Sequence, residues 1–208
     1  MKTLKITMLA LLLNSLNFAF AGQENDKLIQ AFARSYEFEY AGQYNKSINA
    51  IKEVYKENEN SYETNLRLGW LYYYSGSFTE AVNYYQKAMS IMPLSVEAKF
   101  GYTLPAIALG NWDQVKKQYE DVLVIDPKNN KANYQLGMIY YVRKDYKKAQ
   151  KCFSAVVNLY PFDYDSLKML AWSNYFLGQL KEAKVLFNKV LLYSPKDASA
   201  KEGLSYIK

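Results

Sequence analysis

Four of the five prolines of this chain, Pro93, Pro127, Pro161 and Pro195, lie 34 residues apart without drift. A fixed interval of this length is typical of repeat proteins, in which each unit is one small supersecondary motif that stacks on the next. The sequence therefore predicts an array of similar units along most of the chain.

Each unit contains two stretches of about 12–14 residues in which apolar side chains recur at spacings of three and four, the pattern of an amphipathic helix. Turn residues such as Ser75, Gly76 and Ser77 separate the two stretches. Residues suited to capping helix N-termini precede the first helices at the same interval of 34: Ser61, Ser95, Asn129, Asp163 and Asp197. Ser77, Asn111 and Asp145 are expected to cap the second helices. Each unit is thus predicted to be a helical hairpin, and the fold to be all-α.

Residues of one type or size recur at equivalent positions of successive units, 34 residues apart, and we call each such set a column. These columns define the expected core. They contain the small residues Ala81 and Ala149, the aromatic residues Tyr85 and Phe153, and Val156. Small side chains at such positions let paired helices approach closely, and aromatic side chains fill the space between units.

The second unit carries the most complete pattern. Leu68-Gly69 with Tyr72, followed by Ala81, Tyr85 and Pro93, closely resembles the tetratricopeptide repeat. The resemblance implies a right-handed α-solenoid of helix-turn-helix hairpins. It covers five units, at residues 28–61, 62–95, 96–129, 130–163 and 164–197, and is followed by a C-terminal capping helix at 198–208.

The N-terminus predicts export. Lys2 and Lys5 precede an apolar run from Ile6 to Leu13, and Ala19-Phe20-Ala21 has the small-x-small form of a cleavage site. Residues 1–21 are therefore interpreted as a signal peptide and 22–27 as an N-terminal leader, which places the mature protein in the periplasm or outside the cell.

The chain has no histidine and a single cysteine. This excludes histidine acid–base chemistry, His-Cys zinc sites and internal disulfides. The sequence also contains no Gly-rich phosphate loop and no nucleophile elbow. We therefore expect a non-enzymatic protein without a cofactor or metal.

The charge is moderately positive. Residues 1–21 contain two lysines and no acidic residue, so their removal lowers the net charge from +6 to +4. A net charge of +4 is too small to indicate a nucleic-acid partner. One basic run, Arg143, Lys144, Lys147, Lys148 and Lys151, fits either a weak contact with an anionic surface such as lipid head groups or a solvated helix face.

The family resemblance implies that the first helices line a concave groove that holds peptides. Two columns there, which include Tyr36, Trp70, Tyr74 and Trp172, are uncharged and mostly large. The predicted groove residues are Tyr36, Tyr40, Leu66, Trp70, Tyr73, Tyr74, Phe100, Leu104, Tyr134, Met138, Tyr141, Trp172, Tyr175 and Phe176.

Three interpretations of this stripe stay open. It is core, or it captures a protein or peptide partner through Tyr and Trp, or it packs against another copy in a homo-oligomer. A clamp for a C-terminal carboxylate is disfavoured, because only Arg67, Lys131 and Lys168 approach the cationic residues that such family members use. The predicted function is an interaction scaffold that binds an apolar or aromatic peptide or helix, with a self-associating module as the alternative.

Overall fold

The computed structural model describes residues 26–207, which form eleven helices and no strand. The helices are α1 (26–40), α2 (Tyr44–Lys52), α3 (Tyr62–Tyr74), α4 (Phe78–Ile91), α5 (Val96–Ala108), α6 (Trp112–Ile125), α7 (Asn130–Val142), α8 (Tyr146–Leu159), α9 (Tyr164–Phe176), α10 (Leu180–Tyr193) and α11 (Ala198–Ser205). The prediction of an all-α fold is confirmed. The predicted signal peptide and most of the leader lie outside the described residues.

The chain divides into two compact units, one up to Leu109 and one from Gly110 onward. In the first unit, α3 packs against α4, which packs against α5. In the second unit, α7 packs against α8 and α9 against α10, and α11 contacts both α9 and α10. We call α1, α3, α5, α7 and α9 the first helices, and α2, α4, α6, α8 and α10 the second helices.

The caps predicted for α3, α5, α7, α9 and α11 are confirmed: Ser61, Ser95, Asn129, Asp163 and Asp197. Each of these five side chains accepts a hydrogen bond from the backbone amide three residues later, as Ser95 Oγ does from Ala98 at 3.0 Å and Asp163 Oδ1 from Ser166 at 2.9 Å. Each bond satisfies one of the amides that a helix N-terminus leaves without a partner. The same 34-residue interval therefore fixes where α3, α5, α7, α9 and α11 begin.

The caps predicted for the second helices are partly wrong. Asp145 accepts from the Lys148 amide at 3.2 Å, but Ser77 and Asn111 precede their helices without a side-chain cap. Backbone conformation does not explain the difference, because Asp145 (φ −82°, ψ 68°) is close to Ser77 (φ −87°, ψ 71°). Ser77 Oγ instead accepts a hydrogen bond from Ser75 Oγ at 3.3 Å.

The core follows the predicted columns. Tyr85 and Phe187 are fully buried, and each covers a helical glycine of a neighbouring helix. A Cβ atom at Gly101 would lie 2.2 Å from the Tyr85 ring, and one at Gly203 would lie 2.3 Å from the Phe187 ring. Because nothing larger than a hydrogen fits there, the aromatic column and the small-residue column must pair in register.

The turns inside the hairpins have a repeated backbone conformation. Gly42, Gly76, Gly110 and Gly178 adopt positive φ, and Lys144 adopts φ 62° at the equivalent position, 34 residues from Gly110 and Gly178.

No helix within residues 26–207 is long and apolar enough to cross a membrane.

Candidate functional site: aromatic surfaces on the first helices

None of the fourteen predicted groove residues is buried, whereas the core columns are. Nine of the fourteen are partly buried. Five are exposed: Tyr36, Tyr40, Trp70, Tyr74 and Phe176. Large side chains that stay in contact with water on a folded surface are candidates for contact with another molecule.

Four exposed aromatic residues of the first unit and the partly buried Tyr44 form what we call the first aromatic patch: Tyr36, Tyr40, Tyr44, Trp70 and Tyr74. Trp70 and Tyr74 contact each other at a centroid distance of 4.4 Å, and Tyr44 stacks on Tyr74 at 5.7 Å. Tyr36 and Tyr40 lie one helical turn apart on α1, and Tyr40 is 92% exposed. The patch therefore joins α1, the start of α2 and α3.

An ion pair fixes the floor of this patch. Arg67 is 7% exposed, and its guanidinium lies 3.9 Å from the centre of the Tyr36 ring. Arg67 Nη1 donates to Glu39 Oε2 at 2.5 Å, and Trp70 Nε1 donates to Glu39 Oε1 at 2.6 Å. The two oxygens of the Glu39 carboxylate thus accept hydrogen bonds from the Arg67 guanidinium and the Trp70 indole.

This arrangement agrees with the prediction that the groove is not a clamp for a C-terminal carboxylate. Arg67 is committed to Glu39, and Lys168 lies 4.3 Å from the Tyr164 ring centre and 3.7 Å from Asp165. Arg67 and Lys168 therefore already have partners inside the chain. Contact with a ligand on the first patch would come mainly from aromatic surface.

The second unit carries a second aromatic patch, which consists of Tyr141, Tyr146, Trp172, Tyr175, Phe176 and Tyr206. Phe176 is its centre, since it stacks on Tyr146 at 4.6 Å and on Trp172 at 5.8 Å and meets the edge of Tyr141 at 6.1 Å. Tyr175 lies 6.0 Å from Tyr206. Four elements, α7, α8, α9 and the end of α11, contribute rings.

Two tyrosines of the second patch, Tyr141 and Tyr206, have pKa values above the ordinary value for tyrosine. Burial raises the pKa of Tyr141. The hydroxyl of Tyr206 donates to Glu202 Oε1 at 2.7 Å, and this hydrogen bond raises the pKa of Tyr206. Tyr141 and Tyr206 therefore present uncharged phenol hydroxyl groups at neutral pH.

Trp172 differs from Trp70 in its surroundings. Its ring meets Phe187 edge-on at 5.1 Å, and its Nε1 donates to Ser199 Oγ on α11 at 2.8 Å. Trp172 thus connects the core of the second unit to its last helix, whereas Trp70 lies at the surface with 36% of its area exposed. Loss of Trp172 would disturb packing as well as the patch.

The other predicted groove residues lie closer to the core. Tyr134 meets Phe153 at 5.9 Å, and Met138 packs against the same cluster of buried residues. Leu66, Phe100 and Leu104 are partly buried, and Tyr73 contacts Tyr74 at 5.2 Å. For Tyr134 and Met138 the interpretation of the stripe as core is the better one.

Sequence reasoning missed one aromatic column that the structure brings into both patches. The first residue of each second helix is large, at Tyr44, Phe78, Trp112, Tyr146 and Leu180. Tyr44 stacks on Tyr74, and Tyr146 stacks on Phe176. The signal is present in the sequence, because these five residues are 34 apart, but the family resemblance places the groove on the first helices and these residues begin the second helices.

The basic run of the second unit is partly neutralised. Arg143 pairs with Asp113 at 2.8 Å, and Lys148 pairs with Asp145 at 2.8 Å. Lys144, Lys147 and Lys151 are exposed. These exposed side chains fit a solvated helix face, while contact with an anionic surface stays a prediction.

Comparison with known proteins finds a family match for two segments of the chain. The family model described as "Tetratricopeptide repeat" matches residues 62–95 and 131–163. One curated relative, the protein CTR9 homolog of Arabidopsis thaliana, is 27% identical over 108 residues, which are 50% of this chain and 10% of the relative. The chain therefore spans about a tenth of the length of that relative.

Solved structures show the same fold. MamA has a TM-score of 0.72 and 20% identity, with 84% of this chain and 95% of MamA covered. YrrB, described as a TPR protein with an unusual peptide-binding site, has a TM-score of 0.71 and 14% identity, with 90% of this chain and 97% of YrrB covered. The fold is that of a tetratricopeptide-repeat solenoid, as the sequence predicts.

Proposed function

We propose that the protein is a non-enzymatic interaction scaffold that binds an apolar or aromatic segment of a partner protein on its first-helix surface. The observation that carries this proposal is the first aromatic patch. Trp70, Tyr74 and Tyr36 are 36%, 45% and 47% exposed, although other residues form the buried core of their two repeats. Tyr and Trp are the residue types that most often dominate binding energy at protein interfaces.

The chemistry of the patch specifies the kind of partner. Glu39 and Arg67 neutralise each other beneath the rings, and Trp70 Nε1 is already bonded to Glu39. The patch therefore offers ring faces and tyrosine hydroxyl groups but no unpaired charge from these residues. A segment with leucine-like or aromatic side chains, such as one face of an amphipathic helix, complements it better than an acidic segment. The peptide-binding site described for YrrB supports the view that this fold can serve such a role.

The experiment that tests the proposal uses random 12-residue peptides displayed on phage and selected on the full chain. We expect the selected peptides to be enriched in large apolar residues. Trp70→Ala should weaken their binding by about 2 kcal/mol, or roughly 30-fold in Kd, as expected of an interface hot spot. Tyr160→Ala is the matched control, because Tyr160 is 51% exposed in a turn outside both patches.

Two results would contradict the proposal. The first is equal binding of the selected peptides to wild type and Trp70→Ala. The second is a wild-type chain that forms a dimer in sedimentation velocity and becomes monomeric on Trp70→Ala, since the occupant of the patch would then be a second copy.

Export is a separate proposal, supported by the charged start, apolar run and Ala19-Phe20-Ala21 of the sequence. Intact-mass measurement on protein from the native cell should give a chain that begins at Gly22. A cytosolic chain that retains Met1 would contradict it.

A further inference from the structure

A cleft lies on the side of the first unit where α2 and α4 are exposed. Its volume is about 600 Å³, and residues from α2, α3 and α4 line it, among them Lys52, Tyr72, Tyr84 and Lys87. None of the residues of the first aromatic patch lines this cleft. It is therefore a second feature of the unit that the proposed scaffold function does not use.

Three tyrosines form a rigid frame at the cleft. Tyr72 and Tyr84 stack with a centroid distance of 5.3 Å and nearly parallel planes, and Tyr55 meets Tyr84 edge-on at 5.6 Å. Tyr84 is 9% exposed, and the Tyr55 hydroxyl donates to Asn65 Oδ1 at 3.2 Å. Packing and this hydrogen bond fix the positions of the rings.

Two lysine ammonium groups lie on this frame. Lys52 Nζ is 5.3 Å from the centres of both the Tyr55 and Tyr84 rings, and Lys87 Nζ is 5.3 Å and 5.4 Å from the same two centres. Lys87 Nζ also donates to the Tyr55 hydroxyl at 2.8 Å. Both ammonium groups thus lie near the same two aromatic rings, Tyr55 and Tyr84, and the faces of aromatic rings attract positive charge.

The tyrosines keep both lysines charged. A hydrogen bond to Tyr84 raises the pKa of Lys52, and a hydrogen bond to Tyr55 raises the pKa of Lys87. Both ammonium groups therefore carry a full positive charge at neutral pH, and each has three N–H donors, more than its tyrosine contacts require.

Neither lysine forms an ion pair with a carboxylate of residues 26–207, although the Glu59 charge acts on Lys87 from a longer distance. Across residues 26–207, neither Lys52 nor Lys87 lies within 4.0 Å of an Asp or Glu oxygen. Glu53, the neighbour of Lys52, pairs with Arg34 instead. Glu80 is the one acidic residue that lines the cleft. Two ammonium groups that lie on the same two rings, neither of them in an ion pair with a carboxylate, favour the binding of an anion.

We propose that Lys52 and Lys87 bind a phosphate group in this cleft, with the tyrosine frame holding both ammonium groups toward it. A phosphate dianion matches the two positive charges and offers several acceptor oxygens, and lysine is a common phosphate ligand. The cleft is larger than one phosphate, so it also has room for the group of a phosphate monoester. The site is independent of the aromatic patches, and its loss would leave the scaffold proposal unaffected.

The test is titration of the full chain with sodium phosphate and, separately, with phenyl phosphate, at constant ionic strength in sodium chloride, followed by NMR or calorimetry. Wild type should bind saturably. Lys52→Gln and Lys87→Gln should each weaken binding about tenfold, because each removes one charge-assisted hydrogen-bond donor. Lys52→Arg should retain most of the affinity. Lys56→Gln is the control, since it removes the same charge from an exposed lysine outside the cleft.

Thermal melts of each variant will separate loss of binding from loss of folding. Tighter binding of phenyl phosphate than of inorganic phosphate would support the proposal with a monoester as the ligand, and equal binding would support it with the free ion. Binding that does not saturate, or that Lys56→Gln weakens as much as Lys87→Gln, would overturn it, because the ion would then be screening surface charge.

Discussion

Glu39 and Arg67 form an ion pair between α1 and α3 in which the Arg67 side chain is 6% exposed and the Glu39 side chain 22%. The same carboxylate accepts a hydrogen bond from Trp70 Nε1. One acidic residue therefore both neutralises a buried cation and orients the aromatic residue that we place at the centre of the recognition surface.

Removal of the Glu39 charge should destabilise the protein. In Glu39→Gln the Arg67 guanidinium stays buried without its counter-ion, and the free energy of unfolding should fall by about 2–4 kcal/mol. Glu37→Gln, on the exposed side of the same helix, should change it by less than about 0.5 kcal/mol. Urea unfolding followed by circular dichroism measures both. Equal effects of the two substitutions would show that the pair contributes no stability.

Replacement of Lys144 by glycine should stabilise the protein. It adopts φ 62° at a turn position that glycine occupies in the other hairpins, and a side chain in that left-handed conformation is unfavourable. Lys144→Gly should therefore stabilise the protein by about 0.5–1 kcal/mol, since the relief of strain exceeds the greater flexibility of glycine in the unfolded chain.

Gly178→Ala, at an equivalent turn, provides the reverse test and should cost about 1 kcal/mol, because Gly178 has φ 75°. Thermal unfolding of both variants is the measurement. A less stable Lys144→Gly would mean that the lysine side chain makes a contribution at this turn that outweighs its backbone strain.

Cys152 should be unreactive in the folded protein. It is 7% exposed, and burial raises the pKa of its thiol from 9.0 to about 11. At pH 8 the native chain should react with a disulfide reagent far more slowly than the same chain in urea, because the thiolate is the reacting form. A native rate equal to the unfolded rate would contradict the burial of this side chain.

The same shift of the Cys152 pKa predicts a pH dependence of stability. The unfolded chain releases this proton near pH 9 and the folded chain only near pH 11, so the folded state binds more protons between these values. The contribution of Cys152 is therefore complete below pH 9 and is lost as the pH rises toward 11, by roughly 2 kcal/mol. The free energy of unfolding of Cys152→Ala should fall less steeply over this interval than that of wild type.

Most of the fold could be predicted because its signals are periodic. Pro93, Pro127 and their equivalents set the interval, and caps such as Ser95 and Asp163 set the start of each first helix. The exceptions are local. Asn111 has the right residue type for a cap but makes no capping hydrogen bond, although Asp145, with a similar backbone conformation, does.

The candidate site was harder to predict, because residue spacing gives the helix face but not the contacts between helices. Spacing placed Trp70 and Trp172 in one column, yet Trp70 is bonded to Glu39 at the surface and Trp172 supports α11 through Ser199. The pairing of Tyr146 with Phe176 joins the start of one helix to the end of another, 30 residues later in the chain. Such pairs follow from packing, which a single helical pattern does not show.

The central claim is that partners bind to the first-helix surface, and photo-cross-linking tests it most directly. A photoreactive phenylalanine analogue would replace Tyr40, which is 92% exposed at the edge of the first aromatic patch, or Tyr160, which is exposed outside both patches. Each protein would be irradiated with the same selected apolar peptide. We predict an adduct at position 40 that excess unmodified peptide suppresses, and little or none at position 160. An adduct at position 160 together with none at position 40 would contradict the account.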